Sequence, residues 1–165
     1  MKTFCYLGIL VFVLASSLVT ASVEATISSN DEKQNISQQL DGFHSAAGNA
    51  QFETYFAHFT DSAVFIGTDA SERWPVEEFR AFVEPYFNKG QGWLYVPRDR
   101  HIIVEGKVAW FDELLDSESY GECRGSGVLL KQDGRWKIAQ YNLHFPIPND
   151  LAKSITTMIR NHQAE

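Results

Sequence analysis

The sequence predicts an α+β fold in which helices cover one face of a strongly curved antiparallel sheet. Three observations carry this. Apolar residues recur at steps of three and four through the N-terminal half. Four long segments rich in aromatic and β-branched residues fill the C-terminal half. The dipeptides Glu105-Gly106 and Asp133-Gly134 separate them as hairpin turns do. Helices first and a meander afterwards is the α+β pattern.

The chain opens on Lys2 and an uncharged, mostly apolar stretch from Phe4 to Val19. Small residues follow at cleavage-like spacing, Val19-Thr20-Ala21 or Val23-Glu24-Ala25. This is the pattern of a secretory signal peptide over residues 1–25. It predicts a single domain over 26–165, secreted or periplasmic, with no stable membrane insertion after cleavage near Ala21 or Ala25. The rival reading of the same stretch is an uncleaved anchor. Cys5 leaves with the signal, so Cys123 stands alone and no internal disulfide can form. Asn35-Ile36-Ser37 is a glycosylation sequon, meaningful only in a eukaryotic secretory pathway.

Ser29 precedes Glu32 by three residues, a capping-box spacing. Ile36, Leu40, Phe43, Ala47 and Ala50 then form one face of an amphipathic helix, which Gly48-Asn49 interrupts. Phe52, Tyr55, Phe56 and Phe59 mark a second, short helix. "AVFIGT" reads as the first strand. Pro75 suits the first position of a third helix, with Glu77 and Glu78 favoured at its positive end and Phe79, Phe82, Val83 and Phe87 buried. Strands are predicted at Trp93–Val104, Lys107–Asp116, Glu122–Lys131 and Arg135–Phe145, and Leu151–His162 reads as a terminal helix.

Composition bounds the function. The chain has 165 residues, of which 44% are hydrophobic and 13% aromatic, enough for one domain with a substantial core. Its net charge is −7 and no basic run occurs. A nucleic-acid partner is therefore not expected, since phosphate contacts need clustered Lys and Arg. No nucleotide loop, nucleophile elbow or paired-Cys zinc motif occurs, so no cofactor or metal is expected.

Together "FHSAAGNAQFETYFAHFTDSAVFIGTD", "ERWPVEEFRAFVEPYF", "AWFDELL", "RGSGVL" and "WKIAQYNL" resemble the SnoaL-like branch of the nuclear-transport-factor-2-like superfamily, which is similar in shape to ketosteroid isomerase. The resemblance covers roughly Asn35 to Asn149. It implies a cone-shaped barrel with three N-terminal helices packed on the sheet, a pocket between sheet and helices, and a homodimer through the sheet. It leaves the activity open, because this fold hosts isomerases, dehydratases, cyclases and binding domains.

Strand alternation sorts the candidate site residues. If Trp136 and Ile138 face inward, Gln140 and Asn142 share their side. Trp110 and Asp112 on one strand, and Arg124 and Ser126 on the next, can converge beside them. The rival reading makes Asp112 and Arg124 a cross-strand ion pair. Gly125 and Gly127 around Ser126 suggest a bend or a close ligand approach. The resemblance places a catalytic base just after the first strand, where Asp69 is the nearest acid; the alternative is that Asp69 caps or turns the chain. Ketosteroid isomerase has a second acid on the strand matched by Arg124–Leu129, absent here, so steroid isomerisation is not expected. Trp74 reads as lid or core packing. His44 reads either as a pocket general base or as a hydrogen-bonded core histidine.

Three functions follow in order. The first is a small-molecule-binding domain for a small, largely apolar ligand. The second is a cofactor-independent acid–base enzyme, an isomerase, dehydratase or cyclase on a small carbonyl compound, with Asp69, Asp112 and Arg124 catalytic and His44, Trp74, Trp110, Ser126, Gln140 and Asn142 lining the substrate site. The third is a pocketless dimeric interaction module.

Overall fold

The computed structural model describes residues 10–164, with side chains from Ser29 to Ala164. Four helices, α1 (Leu10–Gly48), α2 (Phe52–Ala57), α3 (Val76–Phe87) and α4 (Ala152–His162), accompany strands β1 (Phe59–Ile66), β2 (Arg73–Pro75), β3 (Val96–Glu105), β4 (Val108–Ser117), β5 (Gly121–Gln132) and β6 (Arg135–His144). The six strands form one open sheet in the order β2-β1-β6-β5-β4-β3. The β3–β6 meander is antiparallel as expected. β1 departs from that pattern by running parallel to β6. The sheet is curved, and α1, α2 and α3 pack on its inner face, giving the α+β cone that the sequence predicts. Among the described residues, no helix is long and apolar enough to cross a membrane.

The α1 stripe buries Ile36, Leu40, Phe43 and Ala47, each 5% exposed or less. The expected capping box at Ser29 is not used, because α1 runs straight through it. Glu32 turns to the sheet instead, accepting hydrogen bonds from Lys131 Nζ at 2.5 Å and Trp136 Nε1 at 2.6 Å. Phe59 belongs to β1 and not to the second helix. Its ring still joins Phe43, Tyr55, Phe56 and Phe79 in an aromatic core. Asp133 and Gly134 take φ of 49° and 77°, the left-handed pair that a two-residue hairpin requires.

Two irregularities in the strands decide what faces inward. In β6, Leu129 pairs with Ile138 but Val128 pairs with Gln140, so Ala139 is an extra residue. Side-chain alternation restarts there: Trp136 and Ile138 point in, and so do Tyr141 and Leu143. In β3, Arg98 pairs with Leu114 and His101 with Asp112, leaving Asp99 and Arg100 together opposite Glu113. Asp99 takes φ of 49°. An extra residue of this kind bends a strand and re-aims the side chains beyond it.

Candidate functional site

Ser37, Asp41 and His44 follow one another at steps of four and three, so they lie along one edge of α1 beside its buried stripe. They meet β3 and β4 at Glu113, which is 0% exposed. Its carboxylate is held on several sides. Oε1 stands 2.6 Å from His44 Nε2 and accepts the Tyr141 hydroxyl at 3.4 Å; Oε2 accepts Arg100 Nε at 2.7 Å. Arg100 also donates through Nη1 to the Ser37 carbonyl at 2.9 Å, to Ser37 Oγ at 2.7 Å and to Asp41 Oδ1 at 2.7 Å.

The electrostatics follow from these contacts. Burial alone would raise the Glu113 carboxyl, but the His44 hydrogen bond and the Arg100 charge outweigh it and hold the group below its usual range. For Arg100, burial works against the charge, and Glu113 and Asp41 more than restore it. With Glu113 ionised, His44 Nε2 is the donor of the 2.6 Å bond. In that tautomer the ring lone pair is on Nδ1. His44 is 5% exposed, and Nδ1 makes no hydrogen bond among the described residues.

His44 and Tyr141 also line a recess of about 170 Å³. Its wall is largely aromatic. Phe65, Phe79, Trp74, Phe82 and Trp93 lie in near-parallel planes, with interplanar angles of 9° for Phe65–Phe79, 18° for Trp74–Phe82 and 10° for Phe82–Trp93. Tyr120 and Phe145, 5.3 Å apart, stand at its exposed rim. Tyr95 lines it too, and burial pushes its phenol up to about 12. Glu72 and Thr68 add polar groups. A concave apolar site with a few convergent polar groups is the usual form of a small-molecule site.

The predicted residues divide into two groups. His44 and Trp74 line the recess. Asp112, Ser126 and Asn142 do come together, as paired neighbours across β4, β5 and β6, with Trp110, Val128 and Gln140 in the next row and Arg124 between Leu114 and His144. They lie on the outer face of the sheet, where Asp112 is 59% exposed, and not at the mouth of the cone. The Ala139 bulge explains the difference: counting in twos from Ile138 puts Gln140 inside, whereas the chain puts Tyr141 there. No ion pair joins Asp112 to Arg124; the nearest partner of Asp112 is His101, at 3.7 Å. Asp69 is exposed, accepts hydrogen bonds from Ser71 N at 2.8 Å and Ser71 Oγ at 2.5 Å, and turns the chain. Those bonds lower its carboxyl.

Gly125 and Gly127 point inward, and what comes close to them is protein. A Cβ on Gly125 would lie 2.2 Å from the Tyr141 hydroxyl, and one on Gly127 would lie 2.2 Å from the Gln140 carbonyl and 3.0 Å from the Phe111 ring. Sequence reasoning missed Glu113, Arg100 and Tyr141. One signal was available: Cys123, Gly125, Gly127 and Leu129 are the small and apolar set of β5, and cross-strand pairing puts Glu113 with Gly125.

An α+β cone with this topology defines a class, and the family follows: the chain belongs to the SnoaL-like domain family, whose model matches residues 36–148. No curated protein matches it by sequence. Among solved structures it is similar to a nuclear-transport-factor-2-like protein of unknown function from Pseudomonas putida KT2440, at 15% identity over 76% of this chain and 91% of that one, TM-score 0.62. It is also similar to a protein provisionally assigned as a scytalone dehydratase from Novosphingobium aromaticivorans, at 13% identity over 74% and 89% of the two chains, TM-score 0.64. A provisionally assigned aromatic ring hydroxylase from the same organism matches at 15% identity over 72% and 91%, TM-score 0.59. At these identities the likeness is one of fold.

Proposed function

We propose that this domain binds a small, largely apolar molecule in the aromatic recess and moves a proton on it, with His44 as the acid–base group and Glu113 as its orienter. The observation that supports this above all is the 2.6 Å contact between a fully buried carboxylate and a histidine whose other ring nitrogen has no protein partner among the described residues. A base held by a third group, beside an apolar recess, is the arrangement that proton abstraction next to a carbonyl needs. Nδ1 takes the proton, and the imidazolium that forms is stabilised by the Glu113 carboxylate. The same proton then returns at another position or to a departing hydroxyl, the steps of an isomerase or dehydratase. The Tyr95 phenol, kept protonated, is placed in the lining to donate to a developing oxyanion.

The test is solvent-deuterium incorporation beside the carbonyl of propiophenone, followed by NMR, together with a thermal-shift measurement of binding. Wild type is expected to accelerate exchange, and His44→Gln to lose about 10²–10⁴-fold of the acceleration. Binding without exchange would leave a binding domain and remove the catalytic step. Absence of both binding and exchange would overturn the reading.

Export and assembly belong to the same proposal. The Phe4–Val19 stretch supports secretion or periplasmic export with cleavage near Ala21 or Ala25; an intact Met1 terminus by mass spectrometry would refute it. Exposed Ile103, Val108 and Trp110 on the outer face support a homodimer through the sheet. Sedimentation equilibrium returning a monomer at micromolar concentration would refute that.

A further inference from the structure

The recess lining holds one carboxylate, Glu72, and, among the described residues, no lysine or arginine. That carboxylate is placed deliberately. It folds back onto Gly67, where a Cβ would lie 2.2 Å from Glu72 Oε2, so a glycine is needed for it to lie there. Oε2 accepts the Asp69 N–H at 3.1 Å. Oε1 makes no hydrogen bond among the described residues, which leaves an acceptor for whatever enters. Arg100, which holds Glu113 behind His44, is already matched by Glu113 and Asp41. The phenols of Tyr95 and Tyr141 are pushed up by burial and stay neutral. The charge a ligand meets on the recess wall is therefore negative, in a chain whose net charge is −7.

The rings shape the rest of the site. Trp74 and Phe82 lie 5.0 Å apart, and Phe82 and Trp93 6.3 Å apart, in near-parallel planes along the wall. At these separations the rings stack face on face, so the wall offers a ligand ring a flat apolar contact, and the cation is left to the carboxylate. Volume sets the size: an apolar cavity of about 150 Å³ accommodates benzene, and this recess is about 170 Å³.

We propose that the recess selects a single-ring aromatic molecule bearing a protonated or quaternary amine, with the cation against Glu72 and the ring against the Trp74–Phe82–Trp93 wall. This rests on the reading of the recess as a ligand site and fixes the ligand's charge. Three probes that share a phenylethyl or benzyl frame and differ in charge separate the two ideas: 2-phenylethylammonium, 2-phenylethanol and phenylacetate, titrated against the tryptophan fluorescence that Trp74 and Trp93 supply. The ammonium is expected to bind about tenfold tighter than the alcohol, and phenylacetate weakest. Glu72→Gln, which keeps an acceptor for the Asp69 N–H, is expected to bring the ammonium down to the alcohol's affinity while leaving the alcohol unchanged. Trp74→Leu, a second variant, should weaken the ammonium and the alcohol alike and leave the preference intact. Binding of all three without a cation preference, or a preference that survives Glu72→Gln, would overturn this proposal alone. Failure of all three to bind would overturn the ligand-site reading, and this proposal with it.

Discussion

On the outer face of the sheet, Asp112 Oδ2 stands 3.7 Å from His101 Nδ1. On the inner face, one residue further along β4, Glu113 Oε1 stands 2.6 Å from His44 Nε2. The two pairs contain the same chemical groups. They differ in surroundings. Asp112 and His101 are both more than half exposed, so water solvates each separately and screens their attraction. Glu113 and His44 are out of water and must satisfy one another, and Arg100 supplies the countercharge. Alternation along a single strand thus sets a weak surface contact and an organised buried cluster side by side. Residue type says little about which is which; the face says nearly everything.

The largest test of this contrast is Glu113→Gln. It removes the countercharge of a buried Arg100, which should cost about 3–5 kcal/mol, read as a lowered urea midpoint with unchanged slope. Its pH dependence has a definite sign. The Glu113 carboxyl is held below its ordinary 4.5 in the folded protein. Its contribution is therefore present above that ordinary value and is lost as pH falls through the depressed folded value. Wild type should lose stability on acidification below about pH 4.5, and the part of that loss that Glu113 carries should vanish in the variant. Identical acid profiles for the two proteins would break the contrast.

The fold was largely legible in the sequence, because periodicity reports elements well. The helical stripe Ile36, Leu40, Phe43 and Ala47, the four meander strands and the Asp133-Gly134 turn all stand where the pattern places them. The site was only partly legible. His44 and Trp74 line the recess. The group Asp112, Ser126 and Asn142 was assembled correctly across the strands yet placed on the wrong face. Counting in twos fails wherever a strand carries an extra residue, and the partners that reach Glu113 from β3 and β6 both lie just past one. Ala139 turns Tyr141 inward, and Asp99 delivers Arg100. Neither extra residue announces itself: Ala139 is an ordinary strand residue in the run "KIAQY", and Asp99 sits in "RDRH", which reads as a solvated charged face.

Asp99 sharpens the comparison at intermediate size. Its φ of 49° is one that Asp and Gly tolerate and β-branched residues resist. Asp99→Val should cost about 1–2 kcal/mol, and Asp99→Gly should cost less. If the bulge is what presents Arg100 to Glu113, Asp99→Val should also perturb the His44 ring signals by NMR, since Arg100 and His44 share the Glu113 carboxylate. An unshifted His44 in Asp99→Val would show that Arg100 finds Glu113 without the bulge.

The smallest expected effect completes the contrast from the other side. Asp112→Asn keeps the size and shape of the side chain, removes one surface charge and breaks a 3.7 Å contact with His101 that solvent already screens. Exposed pairs of this kind are worth about 0.2–1 kcal/mol at most. In a chain of net charge −7, removing a negative charge also relieves some self-repulsion. The two terms oppose each other, so the variant should lie within about 0.5 kcal/mol of wild type, and raising the salt concentration should shrink even that. The measurement is the same urea midpoint used for Glu113→Gln, at low and at high salt. A cost near that of Glu113→Gln, insensitive to salt, would mean that Asp112 is covered in solution. The outer face would then be buried in an interface between copies of the chain, with Asp112 desolvated beside its partners there.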